Sequence, residues 1–275
     1  DLSVTRWIVN ARSSNRNLVV GDDIRVGDRW SMLLDLNQSR IRSRSFDPFT
    51  GAAQPEYRYD RSATTPAASI LYRVSPSVTA YATYIESLEQ GAIVGDTYAN
   101  AGQILEPLTS RQYELGLKAD VAAVQLAAAL FRIEKANELS DDGTLTGTYV
   151  QDGRVMHRGL ELSATGRLTE ELTLLSGLTF MDNEVTRSSD PAVEGRRPTW
   201  VAASTVKFNG EYAPRLLPRW TFSAGVQRHG RGYQDAANTR RLPGYTLADA
   251  GVRYQATVLG RTAIARLALT NLTDE

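Results

Sequence analysis

Five residues, Tyr57, Tyr59, Tyr98, His229 and Tyr233, are of the types that hold a flat, oxygen-rich ligand, and none belongs to a catalytic pattern. Tyr57-Arg58-Tyr59 stands beside the polar stretch 46–56, and Tyr98, Tyr233 and Gln234 fall in two more long polar stretches. Ring faces stack on flat groups, hydroxyls donate and accept, and a cation such as Arg58 draws negative charge. At any single position the competing reading is a tyrosine that packs its loop or caps a strand. His157 and His229 are the only histidines and lack the spacing of a metal pair. Asp141-Asp142-Gly143 has the opening of a calcium turn without the rest of it, so it reads as a solvated loop tip. The serines lack the G-x-S-x-G setting of a hydrolase, and Gly27, Gly91, Gly95 and Gly102 form no phosphate-cradling run. With no cysteine there is no thiol nucleophile, zinc cluster or disulfide scaffold.

A second set consists of ions at one parity of apolar stretches: Asp35, Glu114, Lys118, Glu161, Arg167, Asp249, Arg253 and Arg266. What positions them is a period of two. Leu160, Leu162, Ala164 and Leu168 alternate with Glu161, Ser163, Thr165 and Arg167, and after Thr169-Glu170 the pattern resumes at Leu172, Leu174, Leu178 and Phe180. Two strands of about ten residues with one apolar face, joined by a tight turn, describe either a membrane-spanning hairpin or one from a β-sandwich. Repetition decides for the membrane. The same alternation recurs from Trp30 to Leu36, Ala68 to Val74, Tyr113 to Ala119, Trp220 to Val226, Ala248 to Tyr254 and Ala263 to Leu269. Trp30, Tyr72, Tyr84, Tyr113, Phe180, Trp200, Phe208, Trp220 and Tyr254 stand at or near the ends of apolar faces, as in an interfacial girdle.

The expected strands are about 1–11, 17–27, 29–43, 57–74, 77–88, 109–119, 121–135, 147–168, 171–186, 197–209, 218–229, 243–255 and 262–272. Their links alternate. Short ones fall at 27–28, 75–76, 120, 169–170 and 258–261, and long polar ones near 46–56, 89–108, 135–146, 187–196 and 231–242. The link 209–218 is long for its side, and the one at 13–17 is short for its own. Sorting loops by side is the mark of an all-β, transmembrane, antiparallel up-and-down β-barrel. Composition agrees. Thirty-one basic and 31 acidic residues give no basic excess for nucleic acid, and no run of eighteen apolar residues forms a spanning helix. Mean hydropathy is mildly negative, as expected when half of each strand faces a polar lumen. Thirteen strands is an odd number that cannot close by itself, so residues 1–275 are expected to be part of a larger barrel.

Four stretches, in order, resemble the C-terminal part of TonB-dependent ferric-siderophore receptors of the ferrichrome type. Asn100, Gly102, Leu105, Pro107, Ser110, Tyr113, Glu114, Gly116 and Lys118 match that family's N-x-G-x-x-L-x-P-E-x-S-x-x-Y-E-x-G-x-K, with Leu108 where an acidic residue is usual. Arg158-Gly159-Leu160-Glu161-Leu162 is similar to its R-G-x-E-L, Gly195-Arg196-Arg197-Pro198 to its G-[KR]-x-P, and Asn271-Leu272-Thr273-Asp274 to its N-L-x-D. In a family barrel of about 22 strands, the chain would supply about strands 9 to 21, without the N-terminal plug, the first strands and the last.

The resemblance implies a bacterial outer-membrane receptor for energy-coupled uptake of ferric siderophores, with no catalysis and no cofactor, iron being carried only as cargo. Its partners would be the ferric siderophore, the TonB complex acting through the plug, and outer-membrane lipid and lipopolysaccharide. Tyr57, Tyr59, Tyr98, His229 and Tyr233 would meet the ligand, and the eight lumen ions would face the plug. Gly116 and Gly166 would thin the inner wall where another backbone approaches. The alternatives are a TonB-dependent receptor for cobalamin or sugars, a passive porin, or a soluble all-β enzyme or adhesin.

Overall fold

The computed structural model describes residues 8–140, 144 and 146–274, and at 55 and 56 the backbone only. They form β1 (Ala11–Val26), β2 (Trp30–Phe46), β3 (Ala53–Ser75), β4 (Val78–Glu89), β5 (Leu108–Val121), β6 (Val124–Ser140), β7 (Tyr149–Arg167), β8 (Leu172–Arg187), β9 (Ser204–Tyr212), β10 (Trp220–His229), β11 (Gly232–Tyr233), β12 (Arg241–Leu242), β13 (Tyr245–Val258) and β14 (Arg261–Leu269), with one 3-10 turn at Pro191–Val193. Twelve strands lie in sequence order in one antiparallel sheet, β1 through β10 and then β13 and β14. The remaining two, β11 and β12, make a small ribbon of their own.

Register carries the apolar parity from strand to strand. Trp30 lies opposite Tyr72 and Met32 opposite Ile70. Leu130 lies opposite Leu115 and Leu160, and Leu162 opposite Ala128 and Leu178. Val226 faces Phe208 and Ala248 across its two neighbours, and Leu267 faces Val252. A one-residue slip anywhere would put half a strand's charges among these rows, so the burial pattern itself enforces the pairing. Many of these side chains are open: Leu115 is 60% exposed and Leu267 63%. An apolar surface continuous over twelve strands is not stable in water, whereas in hydrocarbon it is the outside of a barrel wall. No helix among the described residues is long and apolar enough to cross a membrane.

Five links of two to four residues, at 27–29, 76–77, 122–123, 168–171 and 259–260, lie at one end of the sheet, together with the longer 213–219. The links at 47–52, 90–107, 188–203 and 230–244 lie at the other, as do the ends of β6 and β7 that flank 141–148. Aromatic pairs mark the short-link end: Trp30 and Tyr72 have ring centroids 4.6 Å apart, and Trp220 and Tyr254 4.7 Å.

Several boundaries differ from expectation. The link expected at 13–17 is continuous strand inside β1, paired through Asn15 with Ile41, and most of the strand expected at 1–11 lies outside the described residues. Asp141-Asp142-Gly143 lies outside them too. The turn expected at Asp120 falls at Ala122 and Ala123, with Ala122 at φ 54°. β9 starts at Ser204 instead of 197, because Pro198 has no N–H and the next segment is bonded elsewhere: Trp200 N–H donates to the Tyr233 carbonyl and Ala203 N–H to that of Arg231. Trp200, at φ 62°, is therefore a loop residue and not part of a girdle. Gly116 admits the Tyr81 ring, which a Cβ would meet at 2.4 Å, so a side chain and not a backbone fills the gap. Gly166 lies on the outer parity, at φ 144°, against the Ala123 carbonyl of the adjoining turn.

Replacing Leu162 or Leu174 by Arg should cost roughly 2–4 kcal/mol of barrel stability if these positions lie near the bilayer midplane. Refolding into lipid vesicles across a urea series measures it, and parental stability in both variants would refute the register.

Candidate functional site

The long-link end carries a built feature, the segment 90–107, which folds over the inner face. It closes on itself through an isolated bridge between Ile93 and Ile104, with Val94 N–H on the Gln103 carbonyl and Gly102 N–H returning to Val94, each at 2.9 Å. Gly102 takes φ 75°, a left-handed conformation that a side chain would strain. Val94 is 2% exposed and Leu105 8%, so the segment has a small core of its own.

It is tied to three strands. From β3, the Tyr59 hydroxyl accepts the Gly91 N–H at 3.1 Å, and Arg61 reaches the Ile104 carbonyl at 3.2 Å and Glu106 at 3.1 Å. From β6, Glu138 accepts the Ala92 N–H at 2.8 Å. From β7, Gln151 donates to the Glu106 carbonyl at 2.5 Å, and Asn100 bridges the Tyr149 backbone, accepting its N–H at 2.8 Å and donating to its carbonyl at 3.0 Å. Asn100, Gly102 and Leu105 of the resemblance motif are thus the residues that shape and pin a shelf.

The five ligand candidates fall into two groups. Tyr59 is fully buried with its hydroxyl engaged, which corrects its assignment: it holds the shelf and offers no face to a ligand. Tyr57, two residues along, is 38% exposed. Tyr98 rides on the shelf with its ring 4.7 Å from that of Tyr149. His229 sits on the inner parity of β10, stacked on Tyr245 at 4.8 Å and touching the Gln227 amide. Tyr233 is half-buried in the β11–β12 ribbon.

The eight lumen ions share the inner parity. Glu114 accepts from Tyr81 at 2.6 Å and from Gln112 at 2.9 Å, and Lys118 stands 5.1 Å from the Tyr81 ring centre. Asp35 fits because its cross-strand partner is Gly21. Arg253 donates to Thr221 at 3.2 Å, lies 3.8 Å from Glu211, and shares a shallow hollow with Arg266. Asp249 accepts the Asn271 N–H at 2.8 Å, so its first task is to cap the segment after β14. Glu161 and Arg167 are exposed and have no ion pair among the described residues.

Residue-by-residue reading missed Tyr81, Tyr149 and Gln151. It also missed a hollow of about 580 Å³ lined by Arg197, Arg228, Arg231 and Arg241. A signal for Tyr81 was present, since an inner-parity aromatic faces a glycine across the strand pair. No local signal existed for the arginines, which come from two links (Arg197 and Arg231) and two strands (Arg228 in β10 and Arg241 in β12). Asp235, the acid of the ribbon, is held below the usual carboxylate range by the Arg240 N–H, the Thr239 hydroxyl and the Thr239 N–H, and is occupied by them.

The sequence matches the family model "TonB dependent receptor-like, beta-barrel" over residues 4–272. The ferrichrome receptor FcuA of Yersinia enterocolitica is 30% identical over 90% of this chain and 33% of its own length. The ferrioxamine B receptor of Salmonella typhimurium is 26% identical over 90% of this chain and 35% of its own. Among solved structures, BauA, the ferric preacinetobactin receptor of Acinetobacter baumannii, superposes with a TM-score of 0.81 at 28% identity, over 96% of this chain and 39% of that one. The chain belongs to the TonB-dependent receptor β-barrel family, whose barrels lie in the outer membrane. It spans about a third of the length of the curated relatives it matches.

Tyr59→Phe should leave the Gly91 N–H buried without an acceptor, at a cost of about 1–3 kcal/mol. Faster amide exchange across 90–107, with the strands unchanged, is the expected reading.

Proposed function

We propose that the protein containing this chain takes up ferric siderophores across the outer membrane, driven by the TonB complex. The chain supplies a large arc of the barrel wall and the shelf above it. The observation that carries this reading is the division of one sheet into an apolar outer face and an inner face set with Glu161, Arg167, Arg253 and Arg266 beneath a pinned extracellular shelf. A polar wall of this kind holds a removable plug by ion pairs and hydrogen bonds that can be exchanged one at a time. Transport then needs no chemistry on the ligand and no resident cofactor, iron being cargo. Tyr57, Tyr98, His229 and Tyr233 are the contacts assigned to the ferric chelate. Lipid and lipopolysaccharide cover the outer face.

Alanine at these four positions together should weaken ferric-chelate binding to the surface-displayed receptor while leaving assembly intact, with Tyr72→Ala on the outer face as the control. Single changes need not register, since few contacts dominate such interfaces. An unchanged affinity in the quadruple variant removes the site assignment.

Strands outside this chain are proposed to pair with β1 and β14, each of which has a neighbour on one side only. The open edges of those two strands cannot stand in lipid. Residues 1–275 expressed alone should therefore give no heat-resistant barrel on semi-native gels, and a stable closed monomer would overturn this division of the protein.

A further inference from the structure

The arginine hollow stands at the long-link end, where the wall passes into loops, and its charges are unevenly matched. Arg228 and Arg197 are engaged. The Arg228 Nη1 donates to Thr246 at 2.9 Å, and Arg197 stands 3.9 Å from the Asp182 carboxylate. Arg231 and Arg241 are exposed and have no carboxylate partner among the described residues. The acid of their own link, Asp235, is taken up by Thr239 and the Arg240 N–H. Of the five long links, 230–244 is the one with more basic than acidic residues, three against one, whereas 47–52, 90–107 and 141–148 carry no basic residue.

Arg231 and Arg241 share the face of His229. Backbone bonding continues past the end of β10, with the Gly230 N–H on the Ser204 carbonyl at 2.8 Å and the Ala203 N–H on that of Arg231 at 3.1 Å. Arg231 and Tyr233 follow His229 at intervals of two, and Tyr233 lies opposite Arg241. His229 in turn has the parity of the positions opposite Asp249 and Arg253, the lumen side. Next to this group comes Trp200, 68% exposed, whose N–H is bonded to the Tyr233 carbonyl at 2.9 Å. Its φ of 62° is costly for a bulky residue, and that bond helps to sustain it. Two cations and two aromatic residues are thus collected at one sector of the mouth. A concave site lined by one sign of charge concentrates the opposite sign, and each guanidinium can donate two parallel bonds to a pair of negative oxygens.

We infer that Arg231 and Arg241, with Tyr233 and Trp200 beside them, select a ferric chelate of net negative charge, such as iron held by three catecholates, over the neutral chelate made by three hydroxamates. Each catecholate brings two negative oxygens on an aromatic ring, so three of them more than cancel an iron(III) ion and leave the surplus on the oxygens. Three hydroxamates only just cancel it. The oxygens suit the guanidiniums, and the rings suit Tyr233 and Trp200. This rests on the uptake of ferric siderophores proposed above and narrows the ligand by its charge.

The test uses the full-length receptor in detergent and two synthetic iron(III) complexes on the same tripodal scaffold, a trianionic tris-catecholate and a neutral tris-hydroxamate, with bound iron read by equilibrium dialysis. The parent should bind the trianionic complex more tightly, and added salt should narrow the gap. Arg231→Gln with Arg241→Gln should weaken the trianionic complex about tenfold and leave the neutral one within about twofold. Arg231→Lys with Arg241→Lys should recover part of the loss, because the charge is kept while the planar fork is not. Arg219→Gln, at the opposite end of the sheet, should bind both complexes like the parent. Heat-modifiable mobility on gels confirms that each variant is folded. A parent without preference for the trianionic complex, or a double Gln variant that binds it as the parent does, overturns the charge selection and leaves the uptake reading standing. Equal loss on both complexes gives the arginines a structural role and overturns it too. Binding of neither complex by the parent overturns both readings. Displacement of the trianionic complex by an equal concentration of inorganic pyrophosphate makes this a general anion site and overturns the ferric-chelate assignment.

Discussion

Hydrocarbon offers no partner to a peptide N–H or C=O, and that constraint fixes nearly everything else here. Each strand must satisfy its backbone on its two neighbours, so the sheet is antiparallel, runs in sequence order and cannot tolerate a gap. Once pairing is compulsory, the only freedom left to the side chains is which of two faces they occupy. The apolar set at Leu160, Leu162 and Phe180 and the polar set at Glu161 and Thr179 follow from that choice. The same rule explains where irregular backbone is allowed. Register shifts fall at Arg44/Ser45, Asn137/Leu139 and Arg154/Val155, toward the long-link ends of their strands, and at Arg73/Ser75 beside the short link 76–77, all near strand ends where water can take up an orphaned group.

Above that boundary, order is kept by side chains. The segment 90–107 has little regular structure, yet Tyr59, Arg61, Glu138 and Gln151 hold its backbone at four points, and the Tyr149 backbone holds its Asn100 side chain. These anchors lie on β3, β6 and β7, so the segment spans the tops of the intervening strands. Asn100 and Gly102 act locally, one by bridging a neighbouring backbone and the other by reversing the chain.

Legibility followed the same division. The strands and the sorting of their links could be read because lipid imposes a period of two over many rungs. The eight ions from Asp35 to Arg266 share one parity for the same reason. Parity said little beyond the last rung. Tyr59 looked like a ligand contact because its type and height were right, and only the fold brings Gly91 onto its hydroxyl. β9 opened later than its motif indicated because Trp200 and Ala203 bond to the β11–β12 side. The arginine hollow was invisible, since Arg197 and Arg241 are far apart in sequence and meet through a ribbon of two short strands. The N-x-G-x-x-L-x-P stretch was legible as a family mark, but its physical task, fastening a loop, became visible only with its partners.

The many fastenings of 90–107 bear on how a molecule arriving from the medium is captured. A loop free to swing must be immobilised on contact, and the entropy lost is charged against affinity. Here Val94 and Leu105 are already packed and the peptide groups already matched, so that ordering was completed when the chain folded. Under the uptake proposed above, an incoming molecule would meet an ordered rim whose shape acts as a sieve. Discrimination at this sector would then depend on fit to a fixed outline, and any closing movement would come from some other part of the circumference.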